Sequence, residues 1–306
     1  MSGCLLGERV RFDGQHKRDP FLVDQLGQHV EWVSFCPELG IGLTVPRASI
    51  RLVGSANESR AMMGDTDLTD SLVGYALSQV ERIEKLGLSG FVLKKNSPSC
   101  GMERVRVYSP QGPPSGRSQG IFARILQEKF PSLPVEEEGR LQDEALRENF
   151  VERVFAYNRL LFFFKENWTA GDLVTFHTRH KLQLLSHSPA HYRKLGKLVA
   201  DAKAKERGEV QREYTRLFME GLKVLASKGR NTNTLEHMAG YLKKQLQSEE
   251  KSELCEVIKQ YRLGWVPLIV PLTLLQHYVR KFQIGYLQGQ SYLEPNPREL
   301  MLRNHV

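Results

Sequence analysis

Residues 94–101, KKNSPSCG, place Cys100 in a turn that follows directly on the apolar run 88–93, LSGFVL. A run of that length and composition, bounded by turn-forming residues, predicts a short buried strand. The proline, the glycine and the two serines of the stretch indicate the turn. In open α/β sheets, ligands bind outside the carboxyl ends of the strands. Cys100 is therefore expected at such a position.

Two earlier segments also place a cysteine among turn residues. Cys4 lies in residues 2–14, SGCLLGERVRFDG, and Cys36 lies in residues 35–47, FCPELGIGLTVPR. The run 30–35, VEWVSF, leads into Cys36 and predicts another short strand. Because loops at the carboxyl ends of neighbouring strands face one crevice, the three cysteines are expected to meet there.

The rest of the first half alternates between strand and helix patterns. The pattern predicts helices at 65–86 and 120–130, strands at 103–108 and 133–135, and a Pro- and Gly-rich loop at 109–116. Alternation of this kind indicates an α/β sandwich.

The second half is helical in its periodicity almost throughout. Helices are predicted at 142–166, 171–187, 189–205, 208–227, 232–248, 251–262 and 267–285. The tail 291–300, SYLEPNPREL, is expected to be extended because it contains two prolines. The acidic run 136–138 followed by a glycine suggests the boundary, giving domains 1–140 and 141–306.

The overall composition is that of an ordinary globular protein, with 41% hydrophobic and 25% charged residues. No apolar run approaches the ~20 residues that span a bilayer, and the first ten residues contain no apolar leader. With four cysteines and no leader, the sequence predicts a cytoplasmic protein that has neither disulfides nor a membrane partner.

The excess positive charge lies entirely in the second half. Residues 1–149 hold 18 Lys and Arg against 20 Asp and Glu, a net charge of −2. Because the whole chain carries +8, residues 150–306 carry +10. This asymmetry suggests a polyanion-binding module beside a nearly neutral one. A solvated basic surface without a partner is the alternative.

The spacing of Cys4, Cys36 and Cys100 lacks the C-x-x-C pattern of a metal site. Buried structural thiols, a zinc site and a single reactive cysteine all remain possible interpretations. Three thiolates without a fourth also suit a cubane iron–sulfur cluster with one open iron, which would bind a soft sulfur atom of a substrate. The fourth cysteine, Cys255, lies in the helical half and is a poor candidate ligand.

The motifs CLLG with RFDG, CPELGIGLTVPR and KKNSPSCG resemble those of the thiouracil desulfidase (TudS-like) family over roughly residues 1–140. The resemblance implies a Rossmann-like fold, a [4Fe–4S] cluster on Cys4, Cys36 and Cys100, and non-redox removal of sulfur from a thiolated pyrimidine. The sequence departs from the family pattern in one respect. Family members usually carry an apolar strand before the first cysteine, whereas only residues 1–3 precede it here.

A carboxylate that activates water is the other requirement of such a reaction. Glu38, two residues after the second cysteine, is the first choice as general base, and Asp13 is the second. Ser97, or less directly Ser99, would hydrogen-bond the substrate ring or the water. The structural alternatives are an ion pair between Glu38 and Arg47, and turn stabilisation by Asp13 and Ser97.

In the helical half, residues 175–200 concentrate histidines and basic residues. Basic residues interleaved with His and Tyr suit contacts to RNA phosphates with stacking partners. A helix-packing histidine cluster is the alternative. The candidate RNA-binding residues are Arg179, His180, Lys181, His191, Arg193 and Lys194.

Residues 145–306 resemble a second family, the YbgA-like helical domain, which occurs alone or fused behind a TudS-like domain. The fused arrangement implies a tRNA 4-thiouridine desulfidase whose helical part holds the tRNA. One alternative is a desulfidase of free thiopyrimidines such as 2-thiouracil. Another is a non-enzymatic iron–sulfur protein that binds nucleic acid or senses redox state. No protein partner is predicted.

Overall fold

A computed structural model describes residues 1–306, which fall into two units, Met1–Gln142 and Asp143–Val306. The first unit combines strands and helices, and the second contains helices without strands. The predicted combination of an α/β unit followed by an all-α unit is confirmed. None of the helices combines the length and the apolar character required to cross a membrane.

The strands of the first unit are short. They are β1 (Arg51–Gly54), β2 (Ser59–Met63), β3 (Thr66–Asp67), β4 (Phe91–Leu93), β5 (Val105–Tyr108), β6 (Pro114–Ser118) and β7 (Val135–Glu137). The helices are α1 (Gly3–Leu6), α2 (Pro37–Gly40), α3 (Thr69–Leu86) and α4 (Ile121–Lys129), with short π and 3-10 turns at Phe21–Gln25, Leu26–Gln28 and Arg140–Gln142.

A small parallel sheet underlies the cysteines. Strand β4 pairs in parallel with β7. On the other side of β4, the Ser2 amide donates to the Val92 carbonyl at 2.9 Å, and the Gly3 amide donates to the Phe35 carbonyl at 2.9 Å. Residues 1–3 therefore occupy a strand position, although the predicted strand at 30–35 is reduced to an isolated bridge between Ser2 and Phe35.

Aromatic packing fixes this sheet against α4. The ring of Phe91 lies 5.3 Å from that of Phe35 and 5.8 Å from that of Phe122, and all three side chains are buried. Helix α3 ends as predicted at Gly87, whose positive φ of 57° suits the residue without a Cβ. This packing holds the parallel segments in place against α4. Their carboxyl ends lead into the cysteine loops.

The second sheet has five strands in the order β3-β2-β1-β5-β6, and only the β1–β5 pair is parallel. The sequence pattern missed β1, β2 and β3. It also assigned residues 109–116 to a loop, whereas β6 begins at Pro114. β1, β2 and β6 contain Gly, Pro or Ser, and β3 has only two residues. Pairing with β5 and with one another therefore determines these strands rather than local propensity.

The second unit contains α5 (Glu144–Lys165), α6 (Ala170–His187), α7 (Pro189–Ala200), α8 (Arg207–Lys223), α9 (Lys228–Leu242), α10 (Ser248–Leu263) and α11 (Ile269–Lys281). All seven predicted helices are present. Local signals explain their ends: Thr169 and Asp172 form a capping box at α6, Ser188 caps α7, and Gly264 ends α10.

The tail corrects the expectation of an extended chain. It forms turns and two 3-10 helices, Arg298–Leu300 and Leu302–Asn304. Tyr292 is fully buried in the helical core, and the Arg303 side chain reaches Glu148 of α5 at 3.0 Å. The prolines break the helical periodicity, but packing against α5 and α11 determines the path of the tail.

Candidate functional site

The three cysteines predicted to meet line one cavity of about 350 Å³. Cys4 lies in α1, Cys36 immediately precedes α2, and Cys100 lies in the turn that leads from β4 towards β5. All three thiols are free. The volume is at the lower end of the ~300–1,000 Å³ that small-molecule sites span.

Close backbone packing holds the Cys100 turn. The Ser97 hydroxyl oxygen accepts hydrogen bonds from the amides of Cys100 at 3.1 Å and Ser99 at 3.3 Å. The Gly101 amide donates to the Ser97 carbonyl at 2.8 Å. A Cβ at Gly120 would come within 2.6 Å of the Ser99 carbonyl oxygen, so only glycine permits this approach of α4 to the turn.

Burial dominates the acidity of the three thiols. It raises the pKa of Cys4 to about 11 and that of Cys100 to about 12, and it also raises the pKa of Cys36. Nearby groups oppose the rise: the positive charge of Lys94 acts on Cys4, and the hydroxyl of Ser2 acts on Cys100. The charge of Cys36 influences both other thiols, as expected for three sulfurs around one cavity.

The donor set fits an iron–sulfur cluster. No group of three or more His, Cys, Asp or Glu side chains is spaced to hold a single metal ion. A cluster differs because each thiolate binds a different iron, so its ligands lie farther apart than those of one ion. Cys4, Cys36 and Cys100 supply the sulfur ligands that such clusters use, on the wall of one cavity. Binding would also replace the protons that burial keeps on these thiols.

Glu38 lies on the wall of the cysteine cavity, in the first turn of α2. Its Oε2 atom forms an ion pair with the Arg47 guanidinium, and its Oε1 atom accepts a hydrogen bond from the Ser99 hydroxyl at 2.8 Å. Arg47 is anchored in turn to the Val10 carbonyl at 2.9 Å. The ion pair considered from the sequence is thus present, and it orients a carboxylate at the cavity.

The sequence favoured Ser97 over Ser99 as the hydrogen-bonding serine of the site, and the structure shows the reverse order. Ser99, not Ser97, contacts Glu38 directly, and the Ser97 hydroxyl lies 2.9 Å from that of Ser99. Because the Ser99 proton is directed to Glu38, Ser97 donates to Ser99. Both line the cavity, but Ser99 is almost completely buried.

Asp13 does not belong to the site. Its carboxylate is exposed, pairs with Arg11 at 3.1 Å and accepts from the Gln15 amide at 3.1 Å. The hydrogen bond from Arg11 lowers its pKa. Arg11 lines the cysteine cavity and Asp13 does not. The prediction of Asp13 as an alternative base is corrected to the turn-stabilising role that was its alternative.

Three buried glutamates are the feature that the sequence interpretation missed. Glu136, Glu137 and Glu138 are each less than 9% exposed. The Glu138 carboxylate pairs with Lys94 and accepts from the Lys95 amide at 2.7 Å, and Glu137 accepts from the Met102 amide at 2.5 Å. Glu137 and Glu138 therefore hold the chain on both sides of the Cys100 turn, whereas Glu136 pairs with Arg140. An acidic run directly after an apolar strand was the available signal.

The candidate RNA-binding residues of the second unit divide by exposure. Arg179, Arg193 and Lys194 are exposed. His180 is 2% exposed and stacks on Phe176 with ring centroids 4.2 Å apart. Burial lowers the pKa of His180 to about 3, so it is neutral and structural, which corrects its assignment to an RNA contact.

Lys181 and His191, the remaining two candidates, are half-buried. The Lys181 ammonium lies over the Tyr286 ring at 4.8 Å. His191 Nδ1 is hydrogen-bonded to the Ser188 hydroxyl at 2.9 Å, and its Nε2 lies 3.7 Å from Glu220. Both side chains make contacts within the helical unit. Arg179, Arg193 and Lys194 are therefore the candidates whose charges are exposed to solvent.

A large cavity of about 910 Å³ opens among the helices of the second unit. Its wall includes Phe162, Phe163 and Phe176, together with Arg159, Arg179 and Arg280. Phe162 is 61% exposed. The Arg159 guanidinium donates to His180 Nε2 at 3.3 Å and to the Pro295 carbonyl at 3.0 Å, but its buried Nη2 atom has no hydrogen-bond partner. A buried donor of this kind favours a ligand with acceptor atoms.

Comparisons with known proteins match the two units separately. Residues 1–138 match the family described as 2-thiouracil desulfurase, and residues 181–297 match a family described as a protein of unknown function, DUF1722. The uncharacterised protein YbgA of Escherichia coli strain K12 is 35% identical over 156 residues, which are 50% of this chain and 90% of YbgA.

Two further relatives each match only part of the chain. The uncharacterised protein YbbK of Bacillus subtilis strain 168 is 28% identical over 108 residues, which are 33% of this chain and 71% of YbbK. A solved structure described as the [4Fe-4S]-dependent thiouracil desulfidase TudS is 28% identical, with a TM-score of 0.39, and the match covers 49% of this chain and 96% of that one.

The two family models and the match to YbgA confirm the family resemblances of both halves. The site geometry is consistent with them, since the matched residues 1–138 contain all three cavity cysteines and Glu38. The chain belongs to the family of YbgA, with its helical residues 181–297 matching the DUF1722 model, and its residues 1–138 match the model of the 2-thiouracil desulfurase family.

Proposed function

We propose that this protein is an iron–sulfur-dependent desulfidase that converts 4-thiouridine in tRNA to uridine and releases hydrosulfide. The observation that carries the proposal is the shared cavity of Cys4, Cys36 and Cys100, with the Glu38 carboxylate on its wall. The cysteines would hold a [4Fe–4S] cluster. When bound, the cluster supplies a Lewis-acidic iron that polarises the thiocarbonyl group.

Glu38 is the general base in this reaction. It takes a proton from a water molecule whose oxygen forms a bond to the ring carbon, while the carbon–sulfur bond breaks and sulfur leaves as hydrosulfide. No electrons are exchanged with an external donor or acceptor. The Arg47 guanidinium and the Ser99 hydroxyl hold the two carboxylate oxygens, so Glu38 is oriented before the substrate arrives.

Two features of the second unit support RNA as the substrate. Asp143–Val306 holds 26 Lys and Arg against 18 Asp and Glu, a net charge of +8, and Arg193 and Lys194 are exposed on α7. The helical cavity offers an exposed aromatic ring, Phe162, near the unsatisfied Nη2 of Arg159. Stacking surfaces beside guanidinium groups are typical of sites for unpaired nucleotides. A thiolated base within folded tRNA would have to leave its stack to reach the cysteine cavity.

Anaerobic incubation with bulk tRNA in 18O-labelled water tests the proposal. We expect loss of 4-thiouridine, release of hydrosulfide, and uridine that carries one oxygen atom from the solvent. A variant with Arg193→Glu and Lys194→Glu should turn over free 2-thiouracil normally and tRNA poorly. Turnover of free 2-thiouracil by a wild-type protein that leaves every thiolated nucleoside of tRNA intact would replace the proposal with a free-base desulfidase.

A further inference from the structure

Three arginines form a row across the five-stranded sheet of the first unit. Strand pairing sets Arg106 of β5 directly opposite Arg117 of β6. The parallel register between β1 and β5, with Leu52 opposite Val107, places Arg51 beside Arg106. All three arginines are exposed, whereas Leu52 and Val107 are completely buried on the other face. One face of the sheet therefore carries an arginine on each of three adjacent strands.

The charges of this arginine row are not neutralised within the protein. Neither Arg51 nor Arg106 nor Arg117 forms an ion pair with a carboxylate. Arg60 of β2 provides the contrast, because it pairs with Asp67. Like charges directly opposite each other on paired strands are destabilising. The row therefore lowers the stability of the folded protein. Such a cost is expected where a surface binds an anionic ligand.

The row borders another cavity of the first unit, of about 580 Å³, which is distinct from the cysteine cavity. The charged and aromatic residues on its wall are the arginine row, Arg104 and Tyr108, and the wall contains neither Asp nor Glu. Four further residues, Ser49, Ile50, Asn96 and Pro98, line both this cavity and that of the cysteines. A basic surface is thus continuous with the candidate catalytic cavity.

We propose that the arginine row binds the phosphates of the RNA strand on one side of the thiolated nucleotide while its base occupies the cysteine cavity. This inference deepens the proposed function and rests on it. Guanidinium groups match phosphate oxygens in bidentate geometry. Neighbouring strands lie about 4.8 Å apart, so three adjacent arginines span about 10 Å, more than a single phosphate group occupies. Tyr108, with Arg51 5.3 Å from its ring centroid, is placed to stack a neighbouring base.

The proposal assigns substrate recognition partly to the unit whose overall charge is nearly neutral. Met1–Gln142 holds 17 Lys and Arg and 17 Asp and Glu, yet none of these acidic residues lies on the wall of this cavity. Local distribution rather than net charge determines where a polyanion binds. A strand of RNA is favoured over a free nucleotide because a mononucleotide supplies one phosphate position and the row supplies several.

The test is the variant Arg51→Gln/Arg106→Gln/Arg117→Gln in the full-length, cluster-loaded protein, with Arg60→Gln as the matched control from the same sheet. Binding of unthiolated RNA is measured against salt concentration. Loss of three single-strand phosphate contacts should make the slope of log K against log salt shallower by about 2, at about 0.7 per contact. The kcat/KM for thiolated tRNA should fall at least tenfold, and that for free 2-thiouracil should not change.

Thermal unfolding separates this effect from misfolding. Because the substitutions relieve repulsion between like charges, the unfolding midpoint of the triple variant should equal or exceed that of the wild type. A salt slope and a kcat/KM for thiolated tRNA equal to those of Arg60→Gln would overturn the proposal. An equal loss with 4-thiouridine 5′-monophosphate would also overturn it, in favour of a single-phosphate site.

The binding measurement keeps the two proposals distinguishable. Unthiolated RNA is not turned over, so the salt slope reports on the arginine row alone. A wild-type protein that binds RNA through the row but leaves thiolated tRNA intact would defeat the proposed function and not the row. A wild-type protein that desulfurises tRNA with a slope insensitive to the triple substitution would defeat the row and not the proposed function.

Discussion

The Ser99 hydroxyl donates a hydrogen bond of 2.8 Å to the Oε1 atom of Glu38, although 61 positions separate the two residues. This contact joins the Cys36 segment to the Cys100 segment. Together with the ion pair between Arg47 and Oε2, it leaves the Glu38 carboxylate a single orientation at the wall of the cysteine cavity. A base with a fixed orientation avoids part of the entropic cost of reaching the reactive geometry.

Replacing Glu38 with Gln should abolish most turnover while leaving the cluster in place. The change removes the proton acceptor but keeps a side chain of similar size, and general bases contribute about 10²–10⁴-fold to rates. Iron content, visible absorbance and hydrosulfide release are measured under anaerobic conditions. Glu103→Gln, at a half-exposed carboxylate of the same unit, is the control. Wild-type turnover by Glu38→Gln would remove this residue from the mechanism.

Ser99→Ala and Ser97→Ala should have different effects. Ser99→Ala removes the donor to Glu38 and should lower kcat, with iron retained. Ser97→Ala removes the acceptor for the amides of Cys100 and Ser99, so it should loosen the turn and reduce the iron bound per chain. The two readouts are kcat for 2-thiouracil and the iron-to-protein ratio. Identical behaviour of both variants would contradict the separate roles assigned here.

Each of the cavity cysteines should be required for cluster binding, and the fourth cysteine should not. Cys4→Ala, Cys36→Ala and Cys100→Ala are each expected to yield protein with little or no iron after anaerobic reconstitution. Cys255 is exposed on α10, so Cys255→Ala should match the wild type in iron content and activity. Full iron loading in any of the first three variants would show that the ligand set is different.

The stability of the helical unit should depend on a buried ion pair between His187 and Glu152, whose nitrogen and oxygen lie 3.4 Å apart. Burial opposes both charges. For His187, burial lowers the pKa, but the Glu152 carboxylate, helped by the Val224 carbonyl and Glu148, raises it above its ordinary value of 6.5. For Glu152, burial raises the pKa, but His187, Arg303 and Gln183 together lower it from its ordinary value of 4.5 to about 2.

The sign of the pH dependence follows from these two pKa changes. The contribution of His187 is complete below pH 6.5 and is lost as the pH rises through its raised pKa. The contribution of Glu152 is complete above pH 4.5 and is lost as the pH falls towards 2. A tenfold change in an acid dissociation constant on folding corresponds to about 1.4 kcal/mol of stability. The thermal unfolding midpoint of the full-length protein should therefore fall more steeply from pH 5 to 9 for the wild type than for His187→Gln; parallel profiles would contradict the assignment.

Local signals were sufficient for the helices and for the cysteine turns. The 3.6-residue periodicity predicted all seven helices of the second unit, and capping residues such as Ser188 mark where they begin. The position of Cys100 after an apolar run likewise predicted a loop at the carboxyl end of a strand. These features depend on neighbours within a few residues, and the sequence displays such neighbours directly.

Contacts between distant segments decided the rest. The sequence presented Glu136–Glu138 as an acidic boundary, and only the fold reveals that all three are buried and that Glu137 and Glu138 support the Cys100 turn. It presented His180 as a candidate surface residue, and helix packing buries it. The alignment of Arg51, Arg106 and Arg117 depends on the register of three strands. Burial and register arise from contacts between segments that are distant in the chain, so no local pattern encodes them. The helices and turns depend on neighbouring residues, so the sequence alone determined them.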